Sequence, residues 1–143
     1  MKKLKIGVLG AYRGLTMVGF CAQCKEAELV AVCDKYEPAL EKCKKKIRET
    51  GSDCNPTMYT DFDEFLKHDM DAVVLANYAT EHAPFAIRCL NAGKHVLSEV
   101  LPAQTLKEAV ELVEAVERSG KVYAYAENYC YMPAPTEMRR LYK

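Results

Sequence analysis

The N-terminal part of the chain contains two apolar segments, the first followed by glycines and the second by an acidic residue. Residues 5–14 (KIGVLGAYRG) predict a buried strand, a turn that carries glycines and the start of a helix. Residues 31–34 (AVCD) predict a second buried strand that ends in a carboxylate. A glycine turn at a helix N-terminus admits a pyrophosphate, and an acid after the next strand accepts hydrogen bonds from a ribose. This layout predicts a dinucleotide site.

The glycine turn departs from the regular G-x-G-x-x-G spacing. Gly10 fits the first position, Tyr12 stands where the second glycine is usual, and Gly14 comes one residue early for the third. Arg13 is placed to pair with a pyrophosphate oxygen, and the alternative is a turn residue that faces solvent. We expect these four residues to bind the cofactor. The competing interpretation is an ordinary turn between a strand and a helix, with incidental glycines.

Asp34 is the strongest candidate for ribose binding, because it ends the second predicted strand. The alternative role is to cap the helix that begins near Glu37. A carboxylate at this position repels a 2′-phosphate, which favours NAD over NADP as the cofactor. Lys35 keeps NADP possible, because a cation next to the ribose pairs with that phosphate.

Strand-length apolar runs alternate with helical patterns along the whole chain. Strands are predicted near residues 4–9, 28–33, 57–59, 71–76, 94–98 and 121–126. Helices are predicted near residues 14–25, 36–49, 61–67, 80–92 and 104–119, and from about 134 to the end. Strands that are apolar on both faces are typical of parallel sheets covered by helices. The series predicts an α/β fold with a doubly wound parallel sheet, the three-layer αβα Rossmann arrangement.

Local signals support the helix boundaries and place the candidate site. Asp61 and Thr105 each precede a helical pattern and have a glutamate three residues later, as in a capping box. Gly93 and Gly120 follow helical patterns, where a C-terminal glycine is common. An apolar stripe in the fifth helix is expected to face the core; it comprises Leu106, Ala109, Val110, Leu112, Val113 and Val116. Ligands of such sheets lie beyond the carboxyl ends of the strands. That edge is expected to carry Gly10, Asp34, Asn77, Glu99 and Glu127.

Composition and charge argue against several other classes of function. The chain has 20 basic and 20 acidic residues, and this balance does not favour nucleic acid as a partner. No apolar run approaches the ~18 residues that a membrane span needs. The seven cysteines indicate a reducing compartment, which predicts a cytoplasmic protein. Cys21 and Cys24 have a metal-like spacing without a second pair, so no metal site is expected.

The sequence from the fourth predicted strand onward resembles the Gfo/Idh/MocA family of NAD(P)-dependent sugar oxidoreductases. The resemblance is carried by DAVVLA at 71–76, HAP at 82–84, AGKHVLSE at 92–99, TLKEA at 105–109 and SGKV at 119–122, and it extends over essentially all 143 residues. It implies that residues 1–143 are a dinucleotide-binding domain and that a C-terminal substrate domain is absent from this chain. For the full-length protein it implies NAD as cofactor, a sugar-like substrate and a homo-oligomer.

The chain departs from the family's Glu-Lys-Pro motif. The corresponding run is Glu99-Val100-Leu101-Pro102, with valine at the position of the lysine that assists proton transfer in the family. Valine carries no proton and no charge, so it cannot act as an acid or base. Pro102 is shifted by one residue from the family's proline. The catalytic group is therefore open, and we expect this chain alone to be inactive.

Residues near the expected nicotinamide end provide the remaining candidates. Glu99 resembles the motif's glutamate, and His82 either lies near the nicotinamide or bonds to backbone at the helix start. Asn128 and Tyr131 stand where family members approach the nicotinamide and the substrate. Glu99, His82 and Tyr131 are the catalytic candidates, and Asn77, His82, Glu99 and Asn128 are expected to contact the cofactor.

Two alternatives to a sugar or polyol dehydrogenase stay open. The run from Glu127 to Tyr131 (ENYCY), together with Glu99-Val100, resembles NAD-dependent glycosidases of the α-N-acetylgalactosaminidase type. Such enzymes keep NAD bound, oxidise a sugar hydroxyl transiently, eliminate the aglycone, add water and reduce again. The other alternative is a nucleotide-sensing module that has lost its chemistry along with the lysine.

Overall fold

A computed structural model describes residues 2–142 and contains one six-stranded sheet. The strands are β1 (Leu4–Leu9), β2 (Ala27–Cys33), β3 (Thr57–Tyr59), β4 (Ala72–Leu75), β5 (His95–Ser98) and β6 (Tyr123–Tyr125). The helices are α1 (Leu15–Gln23), α2 (Glu37–Glu49), α3 (Phe62–Lys67), α4 (His82–Asn91), α5 (Leu106–Ser119) and α6 (Pro133–Leu141). Short 3₁₀ segments at Ala79–Glu81 and Tyr129–Tyr131 precede α4 and α6. The predicted elements are all present in the predicted order.

The sheet has the strand order β3-β2-β1-β4-β5-β6, and all the pairs are parallel. The chain leaves the sheet centre at β1, builds one half through β3, and returns to the other side of β1 at β4. This order creates a crevice at the carboxyl ends of β1 and β4, where the direction of winding reverses. The predicted doubly wound Rossmann fold is confirmed.

Two apolar clusters cover the two faces of the sheet. One joins α1 and α2 to the sheet and includes Val8, Val18, Val32, Leu40, Cys43 and Val74. The other joins α3, α4 and α5 to the opposite face and includes Leu9, Phe65, Val73, Leu75, Leu90 and Leu112. Neighbouring strand residues such as Val8 and Leu9 enter different clusters because successive side chains point to opposite faces. This arrangement gives the predicted three layers.

The predicted helix caps are confirmed. The Asp61 side chain accepts a hydrogen bond from the Glu64 N–H at 2.9 Å, and Thr105 accepts one from the Glu108 N–H at 3.1 Å. Gly120 ends α5 in the left-handed conformation with φ of 62°. These caps satisfy backbone groups that the helix ends leave open, and they fix where α3 and α5 begin and where α5 ends.

The stripe predicted for α5 is partly wrong. Leu112 is buried, but Leu106, Val110 and Val113 are exposed by 88%, 56% and 56%. The helix packs on α4 through the side that carries Leu112 and Ala115, so the stripe is rotated away from that contact. Periodicity located an apolar face without locating the neighbour that covers it.

The edge strand β6 is shorter than the predicted 121–126, although the Val96 N–H already donates to the Val122 carbonyl at 2.9 Å. Within residues 2–142, no helix has both the length and the apolar character needed to cross a membrane.

Candidate functional site

A cavity of about 360 Å³ lies at the carboxyl ends of β1, β2 and β4. Gly10, Tyr12, Arg13, Asp34 and Asn77 line it, which brings together five of the residues predicted to bind the cofactor. The strand ends are in register here, because the Gly10 N–H donates to the Cys33 carbonyl and the Ala76 N–H donates to the Leu9 carbonyl. The Glu99 N–H likewise donates to the Leu75 carbonyl at 2.9 Å, which extends the same edge to β5.

Gly10 forms the floor of the turn after β1. Its φ is +92°, and a Cβ atom built there would lie 2.3 Å from the Ala76 carbonyl carbon and oxygen and 2.4 Å from the Asn77 nitrogen. The turn and the end of β4 therefore touch through backbone alone. Only glycine meets both the dihedral and the spacing at this position.

Gly14 performs the close-packing role of the third glycine, although it comes one residue early. A Cβ atom there would lie 2.5 Å from the Gly10 carbonyl oxygen and 2.7 Å from the Val8 side chain. Gly14 is the N-cap of α1, and this helix start has neither a side-chain cap nor an acidic residue in its first turn. Open N–H groups and the helix dipole make such an end favourable for a phosphate.

Asp34 connects the two halves of the expected adenosine site. One carboxylate oxygen accepts a hydrogen bond from the Ala11 N–H at 2.8 Å, and the other accepts one from the Tyr36 N–H at 2.9 Å. Tyr36, not Asp34, is the N-cap residue of α2. The side chain is half-buried, and each oxygen keeps a further lone pair for a ribose hydroxyl.

Three tyrosines line the cavity: Tyr12, which the sequence predicted for the site, and Tyr36 and Tyr78, which it did not. Tyr36 and Tyr78 line it and are exposed by 63% and 79%. The Tyr12 ring lies below the Lys42 ammonium group, whose Nζ is 5.3 Å from the ring centroid. Tyr36 follows soon after Asp34, and Tyr78 directly follows Asn77. Their position in the loops that follow strand ends was the signal that could have identified Tyr36 and Tyr78.

Lys35, Glu81 and Phe85 also line the cavity. Lys35 is exposed and adjacent to Asp34, where the sequence left a contact with a 2′-phosphate open. Asn77 donates from Nδ2 to Glu81 at 3.3 Å, while its buried Oδ1 has no hydrogen-bond partner within residues 2–142. A buried carbonyl oxygen without a donor costs free energy, so it favours a ligand hydroxyl or a water at that point.

Glu99 lies on the β5 side of the site, outside the cavity lining. Its carboxylate is 3.9 Å from the Arg13 guanidinium, which links the loop after β5 to the glycine turn. Val100 is half-buried, and the peptide bond to Leu101 is cis. The family's lysine position is therefore apolar, and the Glu99–Arg13 pair places charged groups next to it.

His82 is almost completely buried, with 1% of its surface exposed. Its Nδ1 lies 2.9 Å from the Leu101 carbonyl oxygen, and its Nε2 lies 3.3 Å from the Asn77 carbonyl oxygen. These contacts correspond to the backbone-bonded alternative that the sequence left open. Neither ring nitrogen is free to transfer a proton in this geometry.

Asn128 and Tyr131 lie apart from the cavity. Both are exposed, Tyr131 by 85%, on the segment between β6 and α6. Asn128 accepts at its backbone carbonyl from the Tyr131 N–H at 3.0 Å, which closes the 3₁₀ turn. The structure therefore does not bring these two predicted site residues together with Gly10 and Asp34.

Cys33, which is part of the cavity lining, and the nearby buried Cys43 are not candidates for nucleophiles. Burial raises the pKa of Cys33 to about 12, with the Asp34 carboxylate as a smaller cause, and burial raises the pKa of Cys43 to about 11. Cys43 donates from Sγ to the Ala11 carbonyl at 3.5 Å. All seven cysteines are free, and the described part of the chain has no cluster of three or more His, Cys, Asp or Glu side chains placed for a metal ion.

The arrangement has the features that the adenosine and pyrophosphate parts of a dinucleotide require. A helix start without acidic residues faces the turn, a glycine lets the backbone approach closely, and Asp34 offers free lone pairs beside the cavity. Gly10, Arg13, the start of α1 and Asp34 are the groups that fit such a ligand.

Comparison with known proteins agrees with this geometry. Residues 4–127 match the model of the Gfo/Idh/MocA oxidoreductase family, described as an NAD-binding Rossmann fold. A glycosyl hydrolase family 109 protein of Shewanella sp. strain ANA-3 is 31% identical over 137 residues, which are 92% of this chain and 30% of that protein. An α-N-acetylgalactosaminidase of Bacteroides fragilis is 32% identical over 125 residues, which are 85% of this chain and 29% of that protein.

Solved structures show the same fold. Scyllo-inositol dehydrogenase from Lactobacillus casei, with bound NAD(H) and scyllo-inositol, superposes with a TM-score of 0.80 at 24% identity, over 99% of this chain and 41% of that one. Myo-inositol 2-dehydrogenase from Lactobacillus plantarum superposes with a TM-score of 0.81 at 19% identity, over 99% of this chain and 41% of that one. The chain thus spans less than half of the proteins it matches. From the family match over residues 4–127, the chain belongs to the Gfo/Idh/MocA oxidoreductase family, of which it forms the NAD-binding Rossmann domain.

Proposed function

We propose that the cavity binds NAD(H) and that the whole protein uses it to oxidise or reduce a sugar or a related polyol. The observation that carries the proposal is the convergence of the Gly10 turn, the uncapped start of α1 and the Asp34 carboxylate on one cavity. When bound, the nicotinamide ring supplies a hydride donor or acceptor. The chain's own residues bind and orient the nucleotide and form one wall of the active site.

NAD is favoured over NADP by Asp34. Its carboxylate is held by two backbone N–H groups beside the cavity, so a 2′-phosphate would meet a fixed negative charge. Lys35, which is adjacent to Asp34 in the cavity lining, reduces this repulsion, and Arg13 is a second cation of that lining. We therefore expect NADP to bind more weakly without being excluded.

The position that holds the proton-transferring lysine in the family does not supply that group in this chain. Val100 holds that position and cannot exchange a proton. Glu99 is the nearest candidate on this edge, Tyr131 is exposed and apart from the cavity, and the buried ring of His82 is already bonded to backbone. We expect the full-length protein to be a cytoplasmic homo-oligomer whose catalysis needs groups beyond this domain.

The second candidate function is NAD-dependent, redox-assisted cleavage of a glycoside. The observation that favours it is the 31–32% identity to a glycosyl hydrolase family 109 protein and an α-N-acetylgalactosaminidase, together with Glu99-Val100 and the run ENYCY at 127–131. Glu99-Val100 resembles the run that such glycosidases carry at the position of the lysine. A nucleotide-sensing module without catalysis is the remaining alternative.

Calorimetry with NAD, NADH and NADP on the purified chain tests cofactor binding. We expect NAD to bind to the wild type. Asp34→Ala should weaken the affinity for NAD about tenfold or more, because two carboxylate oxygens that can accept charge-assisted hydrogen bonds are lost. Asp53→Ala should leave that affinity unchanged. Asp53 is an exposed carboxylate at the opposite, amino-terminal side of the sheet and controls for net charge. No binding at millimolar nucleotide would contradict the proposal.

Incubation of the pure chain with NAD and a panel of sugars and aryl glycosides tests the division of labour. We expect neither NADH absorbance nor released aglycone from this chain alone. The same panel with the full-length protein separates a dehydrogenase, which accumulates NADH, from a redox-assisted glycosidase, which releases aglycone at constant NADH. Robust turnover by residues 1–143 would place the catalytic group in this domain.

A further inference from the structure

We propose that His82 is a positioning residue that holds the loop after β5 against the loop after β4 and thereby shapes the nicotinamide half of the cofactor site. The proposal rests on the proposed cofactor function and deepens it. In a doubly wound sheet the first half binds the adenosine portion, and the strands β4, β5 and β6 form the second half. His82 is the first residue of α4, and its ring contacts the two loops that follow β4 and β5.

The ring of His82 joins these loops through backbone atoms. Nδ1 is 2.9 Å from the Leu101 carbonyl oxygen, nineteen positions away, and Nε2 is 3.3 Å from the carbonyl oxygen of Asn77. Both partners are carbonyl oxygens, which only accept hydrogen bonds, so a bond to either requires a proton on the facing ring nitrogen, and the contact to Leu101 is the shorter of the two. The Leu101 link is therefore the principal one.

Within residues 2–142, three hydrogen bonds tie the loop after β5 to β4 and to the segment that follows β4. At its start, the Glu99 N–H donates to the Leu75 carbonyl at 2.9 Å, and at its end Gln104 donates from Nε2 to the Thr80 carbonyl at 2.6 Å. His82 supplies the middle point through Leu101, whose own side chain is exposed by 53%. Leu101 is thus held through its carbonyl by a buried side chain rather than by the packing of its own side chain.

This middle point controls the residues that face the ligand side. Val100 precedes Leu101, and Glu99 carries the 3.9 Å contact to Arg13 on the glycine turn. Loss of the imidazole would leave both loop ends tied and free the backbone between them. The adenosine side, built by Gly10 and Asp34, would keep its contacts.

The proposal predicts a selective loss of affinity. Variants without the Leu101 link should bind NAD about fivefold more weakly, the factor for one hydrogen bond of typical net strength, and should bind ADP-ribose as the wild type does. ADP-ribose contains the adenosine and pyrophosphate but lacks the nicotinamide. A purely structural role in the stability of the domain would weaken both ligands alike.

Three variants separate the two ring nitrogens. An asparagine amide nitrogen occupies the place of Nδ1, and a glutamine amide nitrogen occupies the place of Nε2, so His82→Asn keeps the Leu101 link and His82→Gln does not. We expect His82→Leu and His82→Gln to lower the affinity for NAD relative to the affinity for ADP-ribose. His82→Asn should retain most of the wild-type ratio of the two affinities. Melting temperatures and circular dichroism confirm that each variant is folded.

Hydrogen exchange of the backbone amides at 100, 101 and 103 gives a measurement that does not depend on the nucleotide. Faster exchange at these amides in His82→Leu than in His82→Asn supports the proposal. Equal exchange in the two variants, or equal losses of NAD and ADP-ribose affinity, would overturn it. If the wild type binds neither nucleotide, the proposed function fails, and the exchange comparison still decides whether His82 anchors the loop.

Discussion

Gly10→Ala tests whether the turn after β1 is determined by backbone contact with β4. The new Cβ would lie 2.3 Å from the Ala76 carbonyl carbon and oxygen, and φ of +92° is a conformation that L side chains rarely adopt. The left-handed region costs about 1–2 kcal/mol, and overpacking against rigid atoms adds about 1–3 kcal/mol. We expect the free energy of unfolding to fall by about 2–5 kcal/mol.

Gly120→Ala is the matched control. Gly120 also has a positive φ, +62°, but a Cβ atom there would have nothing within 4 Å. This variant should lose only the conformational part, about 1–2 kcal/mol. Urea unfolding followed by circular dichroism measures both variants, with equal m-values as the condition for comparison. Equal destabilisation of the two variants would refute the claim that Gly10 is required by its contact with Ala76.

The remaining predictions concern single side chains. Asp34→Ala should lower the free energy of unfolding by about 1–3 kcal/mol, because the buried Ala11 N–H loses its acceptor, and Asp34→Asn should cost less; urea unfolding measures both. Burial raises the pKa of the Cys33 thiol to about 12 from 9.0, so the unfolded state releases its proton first. Stability should therefore fall as the pH rises from about 9 towards 12, by at most about 1.4 kcal/mol per pH unit for this thiol, and Cys33→Ala should reduce the slope. Lys94 is buried and donates from Nζ to the His68 and Met70 carbonyls. Lys94→Met should therefore lower the free energy of unfolding by about 1–3 kcal/mol and the melting temperature by several degrees. No change in that temperature would show that water replaces both bonds.

The sheet and the edge that carries the site were predictable from local pattern. Each strand is an apolar run that ends at a recognisable residue, and parallel strands place those ends side by side. Gly10, Asp34 and Asn77 therefore meet at one cavity although they are far apart in sequence. The caps at Asp61 and Thr105 were predictable for the same reason, since the partners lie three residues away.

Contacts between distant segments were not predictable in this way. The bond from the Ala11 N–H to Asp34 spans 23 positions, and that from His82 to Leu101 spans 19. Residue type alone indicated that each side chain needs a partner, but not which backbone group supplies it. For α5, the pattern showed an apolar stripe, but the structure leaves Leu106 exposed because α4 contacts another side of the helix.

The irregular glycine pattern is compatible with the site because each glycine position of the motif has its own structural function. Gly10 permits the approach of β4, and Gly14 permits the approach of α1 to β1, so the first and third functions are both retained. The second glycine normally leaves room above the turn, and here Tyr12 directs its ring beside Lys42 on α2. A side chain held there forms a wall of the cavity and leaves the start of α1 uncapped. Spacing alone would have rejected this motif, whereas the contacts of each position explain why it still forms a tight turn between β1 and α1.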